Sequence, residues 1–314
     1  MNCTLFIHFG SPKNQHEVGQ FVSRIFKDQL PTILPLYSRL FLKFPLELIA
    51  TKKSIKKYES IKFDPSYINN IEKLRKAVEE KTKTKTFVAA LYGTPLIEKT
   101  FAEIYNLSDE MKEPFAINRI KLISLFPHAP ENLYNTMVER IQNLQIEYQN
   151  DIKVNWAPLF FDNPLFISLW VDCIKAAINQ LPLEQRETTH IIFSAHAYPK
   201  DNESSEYEDQ ITSTVKKIIK ELGDSIQYSI AYQSAAKFGK WTTPTIEDEI
   251  YRLSSQKVSC VIAPISFLFE NIETKLDIDN KFMTYEKTTV VRTSLPGDSP
   301  KLIEMLSNMV KQNI

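Results

Sequence analysis

Residues 190–199 read His-Ile-Ile-Phe-Ser-Ala-His-Ala-Tyr-Pro, a short apolar run that gives way to polar and turn-forming residues. Such a run is typical of a β-strand that is buried on both faces. An amphipathic segment follows at 207–222, and a second run of β-branched and aromatic residues occupies 225–233. A strand, a helix and a strand in this order predict two parallel strands joined by a crossover helix.

The same alternation extends along the whole chain. The predicted strands are Thr4–Gly10, Thr86–Gly93, Arg119–Pro127, Ile152–Pro158, His190–Ala197, Ser225–Gln233, Val258–Phe267 and Thr288–Ser294. Residues 181–189 interrupt the pattern and divide the eight strands into two sets of four. We therefore predict an α/β protein with two similar doubly wound (Rossmann-like) halves, 1–160 and 161–314, each with a four-stranded parallel sheet and with the active-site cleft between them. A closed (β/α)₈ barrel is the alternative.

The composition argues against several classes of function. The 314 residues include 38 basic and 38 acidic side chains, so no excess of positive charge points to nucleic acid. The six glycines are too far apart for a phosphate-binding loop, which argues against an ATP or dinucleotide site. Three scattered cysteines suit a reducing compartment. Because no secretory signal or membrane-spanning run is recognisable either, we expect a cytoplasmic protein.

Residues 30–50 depart from the alternation, because they are rich in Leu, Phe and Pro and are followed by a cluster of lysines. The segment is too short and too often broken by proline to cross a bilayer. Three interpretations remain open. The segment forms an apolar lip beside a pocket, contacts a membrane surface with its basic flank, or is a helix buried between the two halves.

Residues that could carry chemistry follow the predicted strands, at the end where open α/β sheets bind their ligands. His196 ends one such strand and is a candidate general base or metal ligand, with a hydrogen-bonded structural histidine as the alternative. Glu270, Glu273 and Asp277 come after the strand at 258–267 and fall on one face of a predicted helix. These acids either attract a divalent cation or form an ordinary acidic helix start.

Two turn-forming units follow the first and second predicted strands. They are Gly10-Ser11-Pro12 and Tyr92-Gly93-Thr94-Pro95. Since glycine lacks a Cβ atom, we expect these turns to be places where a ligand comes close to the backbone.

The order of the motifs resembles the ferrochelatases over almost the whole chain. The motifs, in chain order, are Gly10-Ser11-Pro12, Tyr92-Gly93-Thr94-Pro95, Phe126-Pro127-His128, Ser194-Ala195-His196, Gln233-Ser234, Phe238-Gly239-Lys240-Trp241 and Ile272-Glu273-Thr274. The resemblance implies a lyase-type metal chelatase of haem biosynthesis. Its partners would be Fe²⁺ and a porphyrin, either protoporphyrin IX or coproporphyrin III, and the segment at 30–50 would be the entry lip or a peripheral membrane contact.

The resemblance also implies roles for individual residues. His196 and Glu273 would be the catalytic and metal-binding pair, and Glu270 and Asp277 would be outer metal ligands. The residues implied for substrate binding are Ser11, Tyr92, Tyr134 and Ser194. We expect no required cofactor and no [2Fe–2S] cluster, because the three cysteines do not form the C-terminal cluster that some members use.

Several positions depart from the family pattern. Leu91 stands where an arginine is expected, Asn271 stands where many members have histidine, and Asp64-Pro65-Ser66 replaces a Gly-Ser-Pro unit. The serine- and threonine-rich stretch after His128 is also changed. Two alternatives therefore stay open, a non-catalytic tetrapyrrole-binding protein and a chelatase for another divalent metal such as cobalt.

Overall fold

The computed structural model of the chain describes residues 2–33, 36–110, 117–148, 152–199, 206–235, 239–282 and 288–312. Within 30–40, and at 109, it describes the backbone alone. The chain divides into two compact units. The first contains Met1–Leu125, Glu131–Leu159 and Ile303–Ile314, and the second contains Phe126–Pro130 and Phe160–Leu302.

A four-stranded parallel sheet forms the centre of the first unit. Its strands are β1 (Asn2–His8), β2 (Lys85–Ala90), β3 (Arg119–Ser124) and β4 (Lys153–Trp156), in the order β2-β1-β3-β4. Its helices are α1 (Gln15–Ile33), α2 (Leu36–Ser60), α3 (Ser66–Thr82), α4 (Ile97–Glu110) and α5 (Glu131–Tyr148). Phe6 on β1 pairs with Val88 and Ile123 of the flanking strands and is completely buried, as a continuous apolar run predicts.

The second unit repeats this arrangement. Its strands are β5 (His190–His196), β6 (Gln227–Gln233), β7 (Cys260–Ala263) and β8 (Val290–Arg292), in the order β6-β5-β7-β8. Its helices are α6 (Pro164–Ile178), α7 (Leu183–Arg186), α8 (Glu206–Leu222), α9 (Ile246–Ser255), a π-helix (Glu273–Asp279) and α10 (Asn280–Phe282). Two open parallel sheets confirm the predicted doubly wound halves and exclude the closed barrel.

Some element bounds differ from the prediction. The strand expected at 258–267 ends at Ala263, because the next residue, Pro264, has no N–H group to extend the ladder. The helix expected to begin near Glu270 begins at Glu273 and is a π-helix. Within 30–50, α1 continues to Ile33 and α2 begins at Leu36.

The last helix, α11 (Pro300–Lys311), begins in the second unit and ends in the first. The sequence-based division placed residues 303–314 in the second half. Lys121 on β3 accounts for their place in the first unit, because its buried Nζ donates hydrogen bonds to the carbonyl oxygens of Met309, at 2.9 Å, Val310, at 2.8 Å, and Gln312. A cation at a helix C-terminus satisfies carbonyl groups that have no partner within the helix.

Candidate active site

The carboxyl end of the second sheet holds His196 in a fixed backbone position. Tyr207, which is buried on α8, donates its hydroxyl hydrogen to the carbonyl oxygen of His196 at 3.1 Å. Burial raises the pKa of Tyr207, so this hydroxyl keeps its proton at neutral pH. The imidazole of His196 itself is 45% exposed. A firmly held backbone thus presents a ring that solvent and a ligand can reach.

The hydrogen bond of His196 determines which ring nitrogen is available. Nδ1 lies 2.7 Å from the carbonyl oxygen of Ala197, and a carbonyl oxygen can only accept. In the neutral ring Nδ1 therefore carries the hydrogen, and Nε2 has a lone pair. Nε2 lies 3.6 Å from Oε2 of Glu273. This arrangement suits a group that accepts a proton and is then stabilised by the neighbouring carboxylate.

The π-helix that carries Glu273 begins with a cap supplied by Asn271. The side-chain oxygen of Asn271 accepts hydrogen bonds from the backbone N–H groups of Glu273, at 2.8 Å, and Thr274, at 3.1 Å. Asparagine is among the preferred residues for this role because its short side chain reaches the first free N–H groups of a helix. Asn271, which stands where the family pattern has histidine, therefore caps the helix that carries Glu273 and Asp277.

Glu273 and Asp277 lie close together one helical turn apart, and Ser234 joins them. The hydroxyl oxygen of Ser234 is 3.0 Å from Oε2 of Glu273 and 3.1 Å from Oδ2 of Asp277. Ser194 acts on this pair indirectly. It is completely buried, and its hydroxyl donates to the side-chain oxygen of Gln233 at 3.1 Å, while Nε2 of Gln233 lies 3.5 Å from Glu273.

Glu270 belongs to a different charge cluster. Its carboxylate accepts hydrogen bonds from Nη2 of Arg292, at 3.0 and 3.2 Å, and from the hydroxyl of Thr274, at 2.8 Å. Nε of Arg292 also donates a hydrogen bond to Oδ1 of Asp279 at 2.5 Å. One guanidinium group therefore binds Glu270, which precedes the π-helix, and Asp279, which ends it. The structure therefore brings together His196, Glu273 and Asp277, and it pairs Glu270 with a cation.

Two of the predicted substrate residues lie in the turns of the first unit. The turns approach each other, because a Cβ atom built at Gly10 would lie 2.3 Å from the backbone nitrogen of Gly93. Ser11 follows this contact and is partly exposed. Tyr92 is completely buried, and its hydroxyl accepts a hydrogen bond from Gln29 at 3.2 Å. A direct contact between the Tyr92 side chain and a ligand would require these neighbours to move.

Guanidinium groups from two helices lie beside the position where the family pattern expects an arginine. Leu91 is buried, and its carbonyl oxygen accepts a hydrogen bond from Arg140 on α5 at 2.8 Å. Arg140 also lies over the ring of Tyr92 at 5.5 Å, and Arg24 on α1 donates to the carbonyl oxygen of Tyr92 at 3.0 Å.

On α5, the predicted substrate residue Tyr134 is partly buried with its ring 5.7 Å from that of Trp156.

Within residues 41–50, large apolar side chains on α2 are exposed to solvent. Those exposed by 44–80% are Phe41, Leu42, Phe44, Leu48 and Ile49. The side chains at 30–40 lie outside the described residues. Exposure of this kind differs from that of a helix buried in a core. No helix in the described part of the chain has the length and apolar character needed to cross a membrane.

Sequence reasoning missed three features of this site. Ser234 was part of a quoted motif but received no role, and Arg292 was not singled out, although a lone arginine after two valines in a short strand is a signal for a buried ion pair. The cap formed by Asn271 was also missed.

Among the described residues, no group of three or more His, Cys, Asp and Glu side chains is arranged to hold a metal ion.

Comparisons with known proteins identify the family. Residues 2–314 match the family model for ferrochelatase. A ferrochelatase of Aquifex aeolicus (strain VF5) is 28% identical over 323 residues, which cover 99% of this chain and 98% of that protein. A ferrochelatase of Rickettsia felis is 29% identical over 324 residues, which cover 99% of this chain and 89% of that protein.

The solved structure of SirB from Bacillus subtilis with Fe³⁺ shares the fold, with a TM-score of 0.60 and 11% identity over 99% of this chain and 94% of its own. A sirohydrochlorin chelatase SirB from Bacillus subtilis subspecies spizizenii, in complex with cobalt, gives a TM-score of 0.57 at 9% identity. At such identities the likeness concerns the fold alone. With a family model that matches nearly every residue, the chain belongs to the ferrochelatase family of lyase-type metal chelatases.

Proposed function

We propose that this enzyme inserts ferrous iron into a porphyrin of haem biosynthesis, with His196 and Glu273 as its catalytic pair. The observation that carries the proposal is the contact of His196 Nδ1 with the carbonyl oxygen of Ala197, which leaves Nε2, 3.6 Å from Oε2 of Glu273, as the nitrogen that can accept a proton. A free-base porphyrin must lose two pyrrole protons when a divalent metal enters. A half-exposed base with a carboxylate beside its basic nitrogen matches that requirement.

His196 accepts the two pyrrole protons one at a time at Nε2 while Nδ1 stays bonded to the carbonyl oxygen of Ala197, and its half-exposed ring passes each proton on to solvent. The resulting imidazolium carries its new hydrogen on Nε2, the nitrogen that lies 3.6 Å from Oε2 of Glu273, so the carboxylate stabilises its positive charge. Because Nε2 has one lone pair, it binds either a proton or a metal ion at any moment. A metal-binding role for His196 therefore precedes or follows its role as a base.

Glu273 and Asp277 supply the oxygen ligands for the incoming ion. Carboxylate and imidazole ligands bind Fe²⁺ without the strong retention that thiolates give to softer metals, which suits an ion that must be handed over. Glu270 supports this pair from the start of the π-helix, where its charge is already matched by Arg292. We assign Glu270 the weakest direct role of the three acids.

The exposed apolar side chains of α2 form the lip at which the porphyrin enters, and the lip also contacts the membrane surface peripherally. Phe41 and Phe44, with exposed fractions of 80% and 73%, offer aromatic surface to a flat hydrophobic ring. Lys52 and Lys53 lie further along the same helix, where they would meet anionic lipid headgroups. The scattered cysteines continue to favour a cytoplasmic enzyme that reaches the membrane only through this helix.

Replacing Phe41 and Phe44 with Ser tests the lip. We expect a higher apparent KM for porphyrin and weaker binding to anionic vesicles, with little change in thermal stability because both side chains are exposed. Replacing Tyr251 on α9 with Ser is the control, since it removes one aromatic side chain of similar fractional exposure elsewhere on the surface. An equal effect of the control on porphyrin KM contradicts the lip.

The test of the reaction itself is an anaerobic assay with Fe²⁺ and either protoporphyrin IX or coproporphyrin III, followed by the loss of porphyrin fluorescence. We expect turnover, and we expect Glu273→Gln to lower kcat by at least ~10²-fold, as for the loss of an acid–base or charge-stabilising group. Asp277→Asn should mainly raise the apparent KM for Fe²⁺. Tight porphyrin binding without metal insertion would favour a binding protein, and insertion of Co²⁺ but not Fe²⁺ would favour another chelatase.

A further inference from the structure

Ser234 has a backbone conformation that its residue type rarely adopts. It follows the last residue of β6 directly and has a φ of 63°, in the left-handed region. A serine pays a steric cost there that glycine does not, because its Cβ crowds the backbone. An unfavourable conformation of this kind persists where the surrounding structure requires it, and such positions concentrate at functional sites.

The contacts of the Ser234 side chain explain why the surrounding structure holds Ser234 in this conformation. Its hydroxyl lies within hydrogen-bond distance of both Glu273 and Asp277, at 3.0 and 3.1 Å. A hydroxyl has one hydrogen to donate, so the two carboxylates share a single donor. Two like charges one helical turn apart repel each other, and a shared donor offsets that repulsion and holds both side chains in the same direction.

We infer that Ser234 is a positioning residue that keeps Glu273 and Asp277 together as a preformed pair of oxygen ligands for a divalent cation. The inference rests on the proposed function for its iron substrate, but the contact itself does not depend on it. Ser234 acts through the two carboxylates that its hydroxyl contacts. Its loss should therefore weaken the capture of the cation more than it slows the proton transfer.

The first test is the kinetics of Ser234→Ala at saturating porphyrin. We expect the apparent KM for Fe²⁺ to rise about tenfold, the effect of losing one hydrogen bond to a charged group. We expect kcat to fall by a smaller factor than the KM rises, since Glu273 keeps its charge beside His196 and loses only the donor that aligns it with Asp277. An unchanged KM, or a loss confined to kcat, overturns the inference.

Two further substitutions separate the hydroxyl from the backbone conformation. Ser234→Gly removes the hydroxyl but suits a positive φ, so it should be at least as stable as Ser234→Ala and show the same rise in KM. Ser234→Asn tolerates the left-handed region and supplies N–H donors, so it should recover most of the loss. If Ser234→Gly restores the wild-type KM, the backbone conformation and not the hydroxyl is responsible, and the inference is wrong.

Ser229→Ala is the matched control, on β6, the strand that Ser234 follows. The Ser229 hydroxyl lies 3.0 Å from Nε2 of His190, near the start of β6, so its removal also takes away a side-chain hydrogen bond, but one that involves neither Glu273 nor Asp277. We expect a loss of stability without a change in the KM for Fe²⁺. A rise in KM equal to that of Ser234→Ala would show a general effect of loosening β6 and would overturn the inference.

A titration with Co²⁺ in the absence of porphyrin separates this inference from the proposed function. Weaker Co²⁺ binding by Ser234→Ala than by the wild type supports the positioning role even if the wild type fails to metallate either porphyrin. Equal binding by the two proteins overturns it even if the wild type is an active ferrochelatase. The Gly and Asn variants should rank in the same order here as they do in the KM for Fe²⁺.

Discussion

The two sheets place a histidine at the same position and give it opposite surroundings. β1 and β5 hold the same central place in their sheets, each has seven residues, and each ends in a histidine, His8 and His196. His8 is 3% exposed, whereas the side chain of His196 is 45% exposed. A common topology thus delivers the same residue type to two equivalent strand ends, and the local environment decides what each can do.

The two rings also carry their proton on different nitrogens. Nδ1 of His8 accepts a hydrogen bond from the backbone N–H of Gly10 at 3.1 Å, so the neutral ring has its hydrogen on Nε2. Gly10 can turn its N–H back toward the ring because it adopts a φ of 96°. In His196 the hydrogen is on Nδ1, and Nε2 is the acceptor. The residues that follow each strand therefore leave Nε2 with the hydrogen in the buried ring of His8 and with the lone pair in the half-exposed ring of His196.

The largest expected effect is the loss of catalysis in His196→Ala. We expect kcat to fall by at least ~10²-fold, within the usual range for a removed general base. The free energy of unfolding should change little, because the ring is half exposed. Metallation kinetics and thermal unfolding of the same preparation check both statements. Turnover close to that of the wild type would remove His196 from the mechanism and with it the contrast between the two rings.

The opposite result is expected for His8→Ala. Removing the buried ring leaves a cavity and leaves the Gly10 N–H group without its acceptor. The free energy of unfolding should therefore fall by about 2–4 kcal/mol. The kcat of the folded fraction should stay within about twofold, since this ring is buried away from solvent and we assign it no role in the reaction. Urea unfolding and metallation kinetics together measure this. A loss of activity without a loss of stability would mean that both histidines serve the reaction.

The dependence of stability on pH provides a finer comparison. Burial lowers the pKa of His8 from 6.5 to about 3, so the unfolded chain binds a proton that the folded chain excludes. The contribution of neutral His8 to stability is complete above pH 6.5 and is lost as the pH falls toward 3. Between these values the slope for one such group is about 1.4 kcal/mol per pH unit.

Urea unfolding at several pH values tests this slope. As the pH falls, the free energy of unfolding of the wild type should decrease more steeply than that of His8→Ala, by about 1.4 kcal/mol per pH unit. His128, whose pKa burial also lowers to about 3, contributes equally to both proteins and cancels in the difference. Parallel curves for the two proteins would contradict a neutral, buried His8.

The smallest effect is expected for Tyr67→Phe. The hydroxyl of Tyr67 lies 3.3 Å from Nδ1 of His8, which also has Gly10 as a donor. Because the ring nitrogen keeps that partner, the loss of stability should be no more than about 1 kcal/mol. Thermal unfolding measures it. A loss as large as that of His8→Ala would show that Tyr67, and not the turn at Gly10, holds the ring.

The sequence predicted those parts of the molecule that local patterns determine. The apolar runs and amphipathic segments identified all eight strands and the two sheets, and the strand-end rule pointed to His196. The link from Ser234 to Glu273 and Asp277 joins residues 39 and 43 positions apart, and no local pattern reports such a contact. The pairing of Arg292 with Glu270 crosses from β8 to the start of the π-helix and was hidden for the same reason.

The glycine turns show a close approach of a different kind from the one that the sequence predicted. A close approach to the backbone was expected at Gly10 and Gly93, and the structure shows one. The approaching group is the other glycine turn of the same unit. A glycine in the sequence indicates that another group comes close to the backbone there, but it does not indicate which group.

The last helix has a consequence for how the chain folds as it is synthesised. Chain growth at about 5–20 residues per second separates Leu159 from Ile303 by roughly 7–30 seconds. During that interval the first sheet is present, but Lys121 lacks the carbonyl groups of Met309 and Val310 that surround its ammonium group in the finished molecule. The second unit, whose residues end at Leu302, becomes complete first. The unit that begins the chain is therefore the last to close, and until then it presents an incomplete surface to chaperones and proteases.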